Sequence, residues 1–147
     1  MVQMKSSLSG IPVSRAMLTD FSTVSPRDSL SRAVELILSG SQQDFPVLDS
    51  GRVVGVLTRG DLIVALQRYG QNALVADVMR RDVRIADAFE MLETVSTRLQ
   101  ECGCHTMPVI RNGQIVGLVT MENIGEFLMI QSALARRSAQ NRPSGAA

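Results

Sequence analysis

Tryptophan is absent from this chain, tyrosine occurs once and phenylalanine four times in 147 residues. So little aromatic surface excludes a base-stacking platform for nucleic acid. Neither charge dominates: fifteen Lys and Arg face fourteen Asp and Glu, leaving a net charge of +1. That balance supplies no field to steer the chain toward nucleic acid or a membrane surface. Cysteine is scarce too. Cys102 and Cys104 are too few to staple a secreted scaffold of this length, and they suit a reducing compartment. The longest apolar runs, Ile63 to Leu66 and Phe127 to Ile130, fall far short of a membrane span. Met1 to Gly10 lacks an apolar stretch after its basic residue, so no secretory signal is expected and the chain reads as cytoplasmic. What is present, 45% hydrophobic and 20% charged residues, is the composition of a folded domain.

One internal offset organises the sequence. Met17 matches Met79, Pro46 matches Pro108, Gly55 matches Gly117 and Thr58 matches Thr120, always 62 positions apart. Val13/Val75, Asp20/Asp82, Leu30/Leu92, Val47/Val109, Gly51/Gly113 and Val54/Val116 follow the same offset without a gap. Two tandem copies of one unit are implied, spanning 13–70 and 71–130. The flanks, 1–12 and 131–147, read as a flexible linker and as a helix end with a flexible tail.

Each copy has the same local signals. Ser25-Pro26 is expected to open a helix, with Ser25 as N-cap and Asp28 in the first turn. Leu30, Ala33, Val34, Ile37 and Leu38 then form one apolar stripe at helical spacing. In the second copy Asp87 takes the cap position, Glu90 follows three residues on, and the stripe runs through Leu92, Val95 and Leu99. A hairpin follows in each: Phe45 to Leu48, a turn at Asp49-Ser50-Gly51, then Val53 to Leu57; and Met107 to Ile110, a turn at Arg111-Asn112-Gly113, then Ile115 to Val119. Second helices are expected from about Arg59 to Arg68 and from about Met121 to Arg137. A three-stranded sheet with two helices buries too little to stand alone, so the two β-α-β-β-α units should pack sheet to sheet about a pseudo-two-fold axis, an α+β fold.

Gly55-Val56-Leu57-Thr58-Arg59-Gly60-Asp61 resembles the G-hydrophobic-hydrophobic-Thr/Ser-x-x-Asp signature of CBS domains, named after cystathionine β-synthase. Gly117-Leu118-Val119-Thr120-Met121-Glu122-Asn123 is its second copy. CBS domains occur as tandem pairs, often called Bateman modules, and the resemblance covers about Val13 to Ile130. Ser41 to Val47 and Glu122 to Ile130 are also similar to the CBS tail of site-2-protease-type membrane zinc metalloproteases. No H-E-x-x-H motif is present, so the chain is not the protease itself. The resemblance implies a regulatory module with an adenine nucleotide (AMP, ADP or ATP) or S-adenosylmethionine as ligand and no required cofactor. It also implies a disk-like homodimer, with a membrane protease catalytic domain as one candidate partner.

The residues support such a site independently of the name. Gly55, lacking a Cβ, lets a strand end approach a ligand closely. Thr58 sits at a strand-to-helix junction with Asp61 one turn on, a hydroxyl and a carboxylate placed for the two hydroxyls of a ribose. Thr23 and Val24 with Phe45 and Pro46 are candidates for an adenine slot, and Arg59 for a phosphate partner. Ile85, Met107, Pro108, Thr120 and Asn123 are the candidates in the second copy. There Asn123 replaces the acidic residue, Met121 replaces Arg59 and Glu122 replaces Gly60, so that site is expected to be degenerate or to prefer a ligand of less negative charge. Arg80 and Arg81 reach either solvent or a phosphate.

Against these stand plainer readings. Thr58 and Asp61 also make an ordinary helix cap. Cys102-Gly103-Cys104-His105 offers too few and too adjacent ligands for a closed zinc site, though His105 is placed to touch a pocket rim. No nucleophile with a positioned base is evident, so no enzyme is expected. Ile124, Phe127, Leu128, Ile130 and Leu134 extend an apolar face for a dimer contact, and a ligand-free dimerisation module is the alternative function.

Overall fold

The computed structural model describes residues 10–140. Its elements are α1 (Leu30–Ser39), β1 (Phe45–Asp49), β2 (Arg52–Leu57), α2 (Arg59–Tyr69), β3 (Ala86–Asp87), α3 (Leu92–Cys102), β4 (Thr106–Arg111), β5 (Gln114–Thr120) and α4 (Met121–Gln140). Short 3-10 turns, Val13–Arg15 and Val75–Asp77, precede the two sets. Of the expected flexible flanks, 1–9 and 141–147 lie outside the described residues. Ile11 and Pro12, also assigned to a flank, are held: the Ile11 carbonyl accepts from Leu92 N at 2.7 Å and Pro12 bridges to Met91.

Both hairpins form where expected. Ser50 and Gly51 have φ of 53° and 81°, Asn112 and Gly113 of 53° and 78°. Two consecutive positive values give the tight turn whose twist matches that of the strands it joins. The second copy completes a three-stranded sheet, with β3 parallel to β4 and β4 antiparallel to β5. In the first copy the leading strand shrinks to one bridge: Val24 N donates to the Pro46 carbonyl at 3.1 Å and Leu48 N to the Val24 carbonyl at 2.9 Å. The first sheet therefore has two strands.

The first helices start later than expected. Ser25 does not cap α1; its N–H donates to Asp28 Oδ2 at 2.8 Å and its Oγ accepts from Arg27 N at 3.3 Å. Asp87 and Glu90 repeat the pattern, with Asp87 N donating to Glu90 Oε1 and Phe89 N to Asp87 Oδ1, each at 2.9 Å. Side-chain bonds that would have capped a helix close a turn instead, so the helices begin at Leu30 and Leu92. Leu38, placed in the apolar stripe, is 81% exposed, because α1 ends one residue later.

Two cores result, and each is completed by the other copy. Val24, Leu30, Ala33, Phe45, Val47, Leu57, Leu62 and Ala65 pack with Val75 and Met79; Ala86, Leu92, Val95, Leu99, Met107, Val109 and Val119 pack with Val13 and Ala16. Backbone bonds fix the exchange. Val13 N donates to the Glu90 carbonyl at 2.8 Å, and its counterpart Val75 N donates to the Asp28 carbonyl at 2.9 Å. Leu18 and Leu118 exchange both N–H···O bonds, as do Arg80 and Val56. The packed units are therefore shifted from the repeats: one draws its core from residues 24–79, the other from 11–17 together with 86–128, so the segment leading each copy packs on its partner. Val13 and Val75 are fully buried, worth about 1.5–3 kcal/mol each.

Candidate functional site

Gly55 and Gly117 lie where these exchanged segments cross the hairpins. A Cβ on Gly55 would sit 2.7 Å from Met79 Sδ and 2.8 Å from the Arg80 carbonyl oxygen; on Gly117, 2.6 Å from Met17 Sδ and 2.9 Å from the Leu18 carbonyl oxygen. The missing Cβ makes room for the neighbouring chain segment, where close approach of a ligand was expected.

In the first copy, Thr58 caps α2, its Oγ1 accepting from Asp61 N at 3.2 Å. The Asp61 carboxylate accepts from Arg80 Nε at 2.7 Å and Nη2 at 3.3 Å, and this guanidinium holds its pKa below the ordinary aspartate value. Arg80 thus occupies the group proposed for a ribose. The Arg59 side chain is exposed, and its backbone N–H donates to Asp44 Oδ1 at 3.2 Å. Arg81 donates to the Ala76 carbonyl at 3.1 Å.

In the second copy, Asn123 is spent on structure. Its Oδ1 accepts from Thr120 N and from Thr120 Oγ1, its N–H donates to Thr120 Oγ1 at 3.0 Å, and its Nδ2 donates to the Ala16 carbonyl. The carboxamide therefore caps α4 and clamps the exchanged N-terminal segment at once. Asp61 makes no such contact, and Arg80 is drawn to it instead.

A cavity of about 420 Å³ opens beside this cap, between the two copies. Thr120, Glu122, Asn123 and Glu126 line one side; Asp20, Gln42 and Asp44 come from the first copy. His105 joins the halves. Its Nδ1 lies 2.7 Å from Asp44 Oδ2, and its Nε2 lies 2.7 Å from Glu122 Oε2. Thr106 Oγ1 donates to the same Asp44 oxygen at 2.8 Å. Partial burial pulls the imidazole pKa down, but the bonds to Glu122 and Asp44 outweigh it and leave His105 above its ordinary value. Protonated, the ring donates at both nitrogens. Asp44, only 6% exposed, needs these donors because a buried carboxylate without partners is strongly unfavourable. Gln42 braces the same corner, accepting from Ser22 N and donating to the Ser22 and Asp44 carbonyls.

Of the sequence candidates, Thr120 and Asn123 reach this cavity. Phe45, Val24 and Met107 lie in the cores, at most 3% exposed, and Pro46 and Pro108 are buried in their strands. Phe45 faces α1 and α2 rather than an adenine slot, since a fully buried ring has no free face to stack on. Thr23 is half-buried and Ile85 is exposed at 47%, and neither lines the cavity. Asp20, Gln42, Asp44 and Glu126 were missed. They stand outside the repeated motif: Glu126 lies one turn beyond Asn123 along α4, and Asp20, Gln42 and Asp44 reach the cavity from the first copy. Cys102 and Cys104, expected to suit a reducing compartment, are instead joined in a disulfide across Gly103, with Cα atoms 5.2 Å apart. Among the described residues no His, Cys, Asp or Glu group is arranged to hold a metal, and no helix is long and apolar enough to cross a membrane.

Comparison with known proteins agrees with this architecture. The CBS domain family model matches residues 5–68 and 75–129. A homoserine O-acetyltransferase of Methanococcus vannielii is 25% identical over 122 residues; these span 80% of this chain but only a quarter of that enzyme. The crystal structure of CBSX2 in complex with AMP is 25% identical, superposes with a TM-score of 0.71, and is matched over 83% of this chain and 99% of its own. The CBS domain pair of protein MJ0100, solved with 5′-methylthioadenosine and S-adenosyl-L-methionine, is 21% identical with a TM-score of 0.70, covering 82% of this chain and 97% of that one. With both copies matched by the family model and their fold shared with solved pairs, the chain belongs to the CBS domain family as a tandem pair.

Proposed function

We propose that the chain is a regulatory module, not itself an enzyme, that binds an adenosine-containing ligand in the cleft between its repeats. The observation that carries this reading is the cavity of about 420 Å³ beside the second Thr120–Asn123 motif, walled by both copies. Solved pairs of the same fold hold AMP, or 5′-methylthioadenosine and S-adenosylmethionine. A ligand gripping both walls regulates by favouring one packing of the halves, and shifts the equilibrium only by its difference in affinity for the two packings. A cytoplasmic setting accords with this role. A membrane protease domain as the regulated partner rests on the sequence resemblance of 41–47 and 122–130 alone.

The partner on the outer face is proposed to be a second copy. Ile124 is buried and Phe127 and Leu128 pack on the second core, whereas Met129, Ile130 and Leu134 are 73%, 59% and 55% exposed on the same helix. A ligand-free dimerisation module is the second reading, favoured by the Arg80–Asp61 pair that occupies the first motif.

Thermal unfolding with and without millimolar AMP, ADP, ATP and S-adenosylmethionine separates the two. Ligand at about 100 times its dissociation constant adds about 2.7 kcal/mol, several degrees for a domain of this size. A shift with any of them supports a sensor. No shift with all four leaves the dimerisation module, whose self-association sedimentation would measure directly.

A further inference from the structure

The two helix-to-strand connections are built differently. In the first copy, Gly40 to Asp44 join α1 to β1, and the Gln42 side chain braces them, accepting from Ser22 N and donating to the Ser22 and Asp44 carbonyls. At an offset of 62 positions, Cys102 replaces Gly40, Cys104 replaces Gln42 and His105 replaces Gln43. There the brace is the Cys102–Cys104 bond. The backbone makes this turn with hydrogen bonds of its own. Gly103 closes α3 in the left-handed region, at φ 64°, its N–H donating to the Gln100 carbonyl at 3.3 Å and that of Cys104 to the Leu99 carbonyl at 3.2 Å. The turn thereby holds the two Cα atoms 5.2 Å apart, within the reach of a disulfide.

A crosslink over one intervening residue is a poor staple, because disulfide stabilisation grows with the length of loop it closes. The first copy makes its equivalent connection without cysteine. Cys102 and Cys104 are half-buried at the rim of the second core, and Gly103 between them is exposed. His105 follows at once. Its ring spans from Asp44 of the first copy to Glu122 on α4, and its carbonyl accepts from Met121 N at 3.3 Å.

We infer that Cys102 and Cys104 are a reversible thiol–disulfide switch, exchanging with small-molecule thiols, that sets the His105 clasp between the two copies. To close it, one cysteine thiolate attacks a sulfur of a small disulfide such as oxidised glutathione, forming a mixed disulfide and releasing one glutathione thiolate. The other cysteine, as thiolate, attacks the protein sulfur, forming the Cys102–Cys104 bond and releasing the second. The two thiol protons pass through solvent to the two leaving thiolates; the protein gives up two electrons and the glutathione disulfide takes them. Closed, the turn holds the ring against its two carboxylates. Open, the connection keeps its backbone bonds alone and the ring can leave them. None of this depends on which ligand fills the cavity.

The test uses the whole untagged chain, whose single histidine then reports alone. Alkylation after acid quenching, read by mass, counts free thiols in glutathione buffers. The His105 Cε1–H resonance, followed against pH, reads the clasp: Asp44 and Glu122 touch the ring, and Asp20 and Glu126 line the same cavity. Millimolar reduced glutathione should expose two thiols, and oxidised glutathione should return an unlabelled monomer. The His105 midpoint should lie at least about half a pH unit lower in the reduced protein than in the oxidised one. Cys102→Ser/Cys104→Ser should keep the lower midpoint under both conditions. A bond that millimolar reduced glutathione leaves intact in the folded protein overturns the switch, as do thiols that end as glutathione adducts or linked dimers. A His105 midpoint that reduction does not move, or a double variant that titrates like the oxidised parent, overturns the link to the clasp.

Discussion

Replacing Gly55 or Gly117 by alanine separates two roles that a glycine at a strand end can play. If these positions exist to admit a ligand, a methyl group leaves the unliganded protein as stable as before and weakens binding. The structure gives the opposite expectation. In Gly55→Ala the new Cβ would lie 2.7 Å from Met79 Sδ, which is the far end of a flexible side chain and can turn aside. It would also lie 2.8 Å from the Arg80 carbonyl oxygen, which cannot. That oxygen accepts from Val56 N at 2.9 Å while Arg80 N donates back to Val56 at 2.9 Å, so moving it strains both bonds. Overpacking costs about 1–3 kcal/mol, and weakening one of these bonds adds about 1 kcal/mol. A total near 2–4 kcal/mol lowers Tm by about 4–16 °C for a chain of this size. Gly117→Ala should behave alike, against the Leu18 carbonyl. The assay is thermal unfolding by circular dichroism without ligand, with Gly60→Ala as control, since nothing lies within 4 Å of a Cβ there. A Gly55→Ala protein that melts within a degree of the parent refutes the argument and returns the position to the ligand.

Three further outcomes are expected. Val13→Ala, although it lies in the segment leading the first copy, should lower global stability by about 1.5–3 kcal/mol in urea titration, because it empties a site in the second core. Gly125→Ala, in the interior of α4 with open space around a Cβ, should gain about 0.5–1 kcal/mol in the same assay. For His105, the pKa is raised, so its ion-pair contribution is complete below about pH 6.5 and is lost as pH rises through the folded value. Stability should therefore fall as pH rises above about 6.5 more steeply in the parent than in His105→Gln, by less than about 1 kcal/mol because a third of the ring meets solvent.

Much of this architecture is legible in the sequence. The offset of 62, the two Gly turns and the second helices all appear where local chemistry places them, because turn dihedrals and helical stripes are local properties. Helix starts were misplaced for a local reason as well: Ser25 and Asp28 satisfy each other in a turn before Leu30, and a cap signal does not say which structure it will close. The exchange of leading segments is a different matter. A repeat shows which residues are alike and cannot show which copy a residue packs against, since Val13 and Val75 fit either core equally well by pattern. The site inherited that ambiguity. Phe45 read as a ligand platform because strand-end aromatics serve both purposes, and burial alone distinguishes them. Asp20 and Asp44 carry no motif; they line one cavity with Asn123 only once the two copies pack together.

That crossing has a bearing on how such a protein arises and how it breaks. A solitary copy would have an open groove where Val75 and Met79 now lie, and a leading strap with nowhere of its own to dock. Two identical solitary copies would satisfy each other by trading straps, and the tandem chain makes that trade within one molecule. The same logic applies in reverse to a protease nick in the 70–74 stretch. The fragments stay locked together through two reciprocal clasps, so cleavage there is silent until denaturant releases both halves at once.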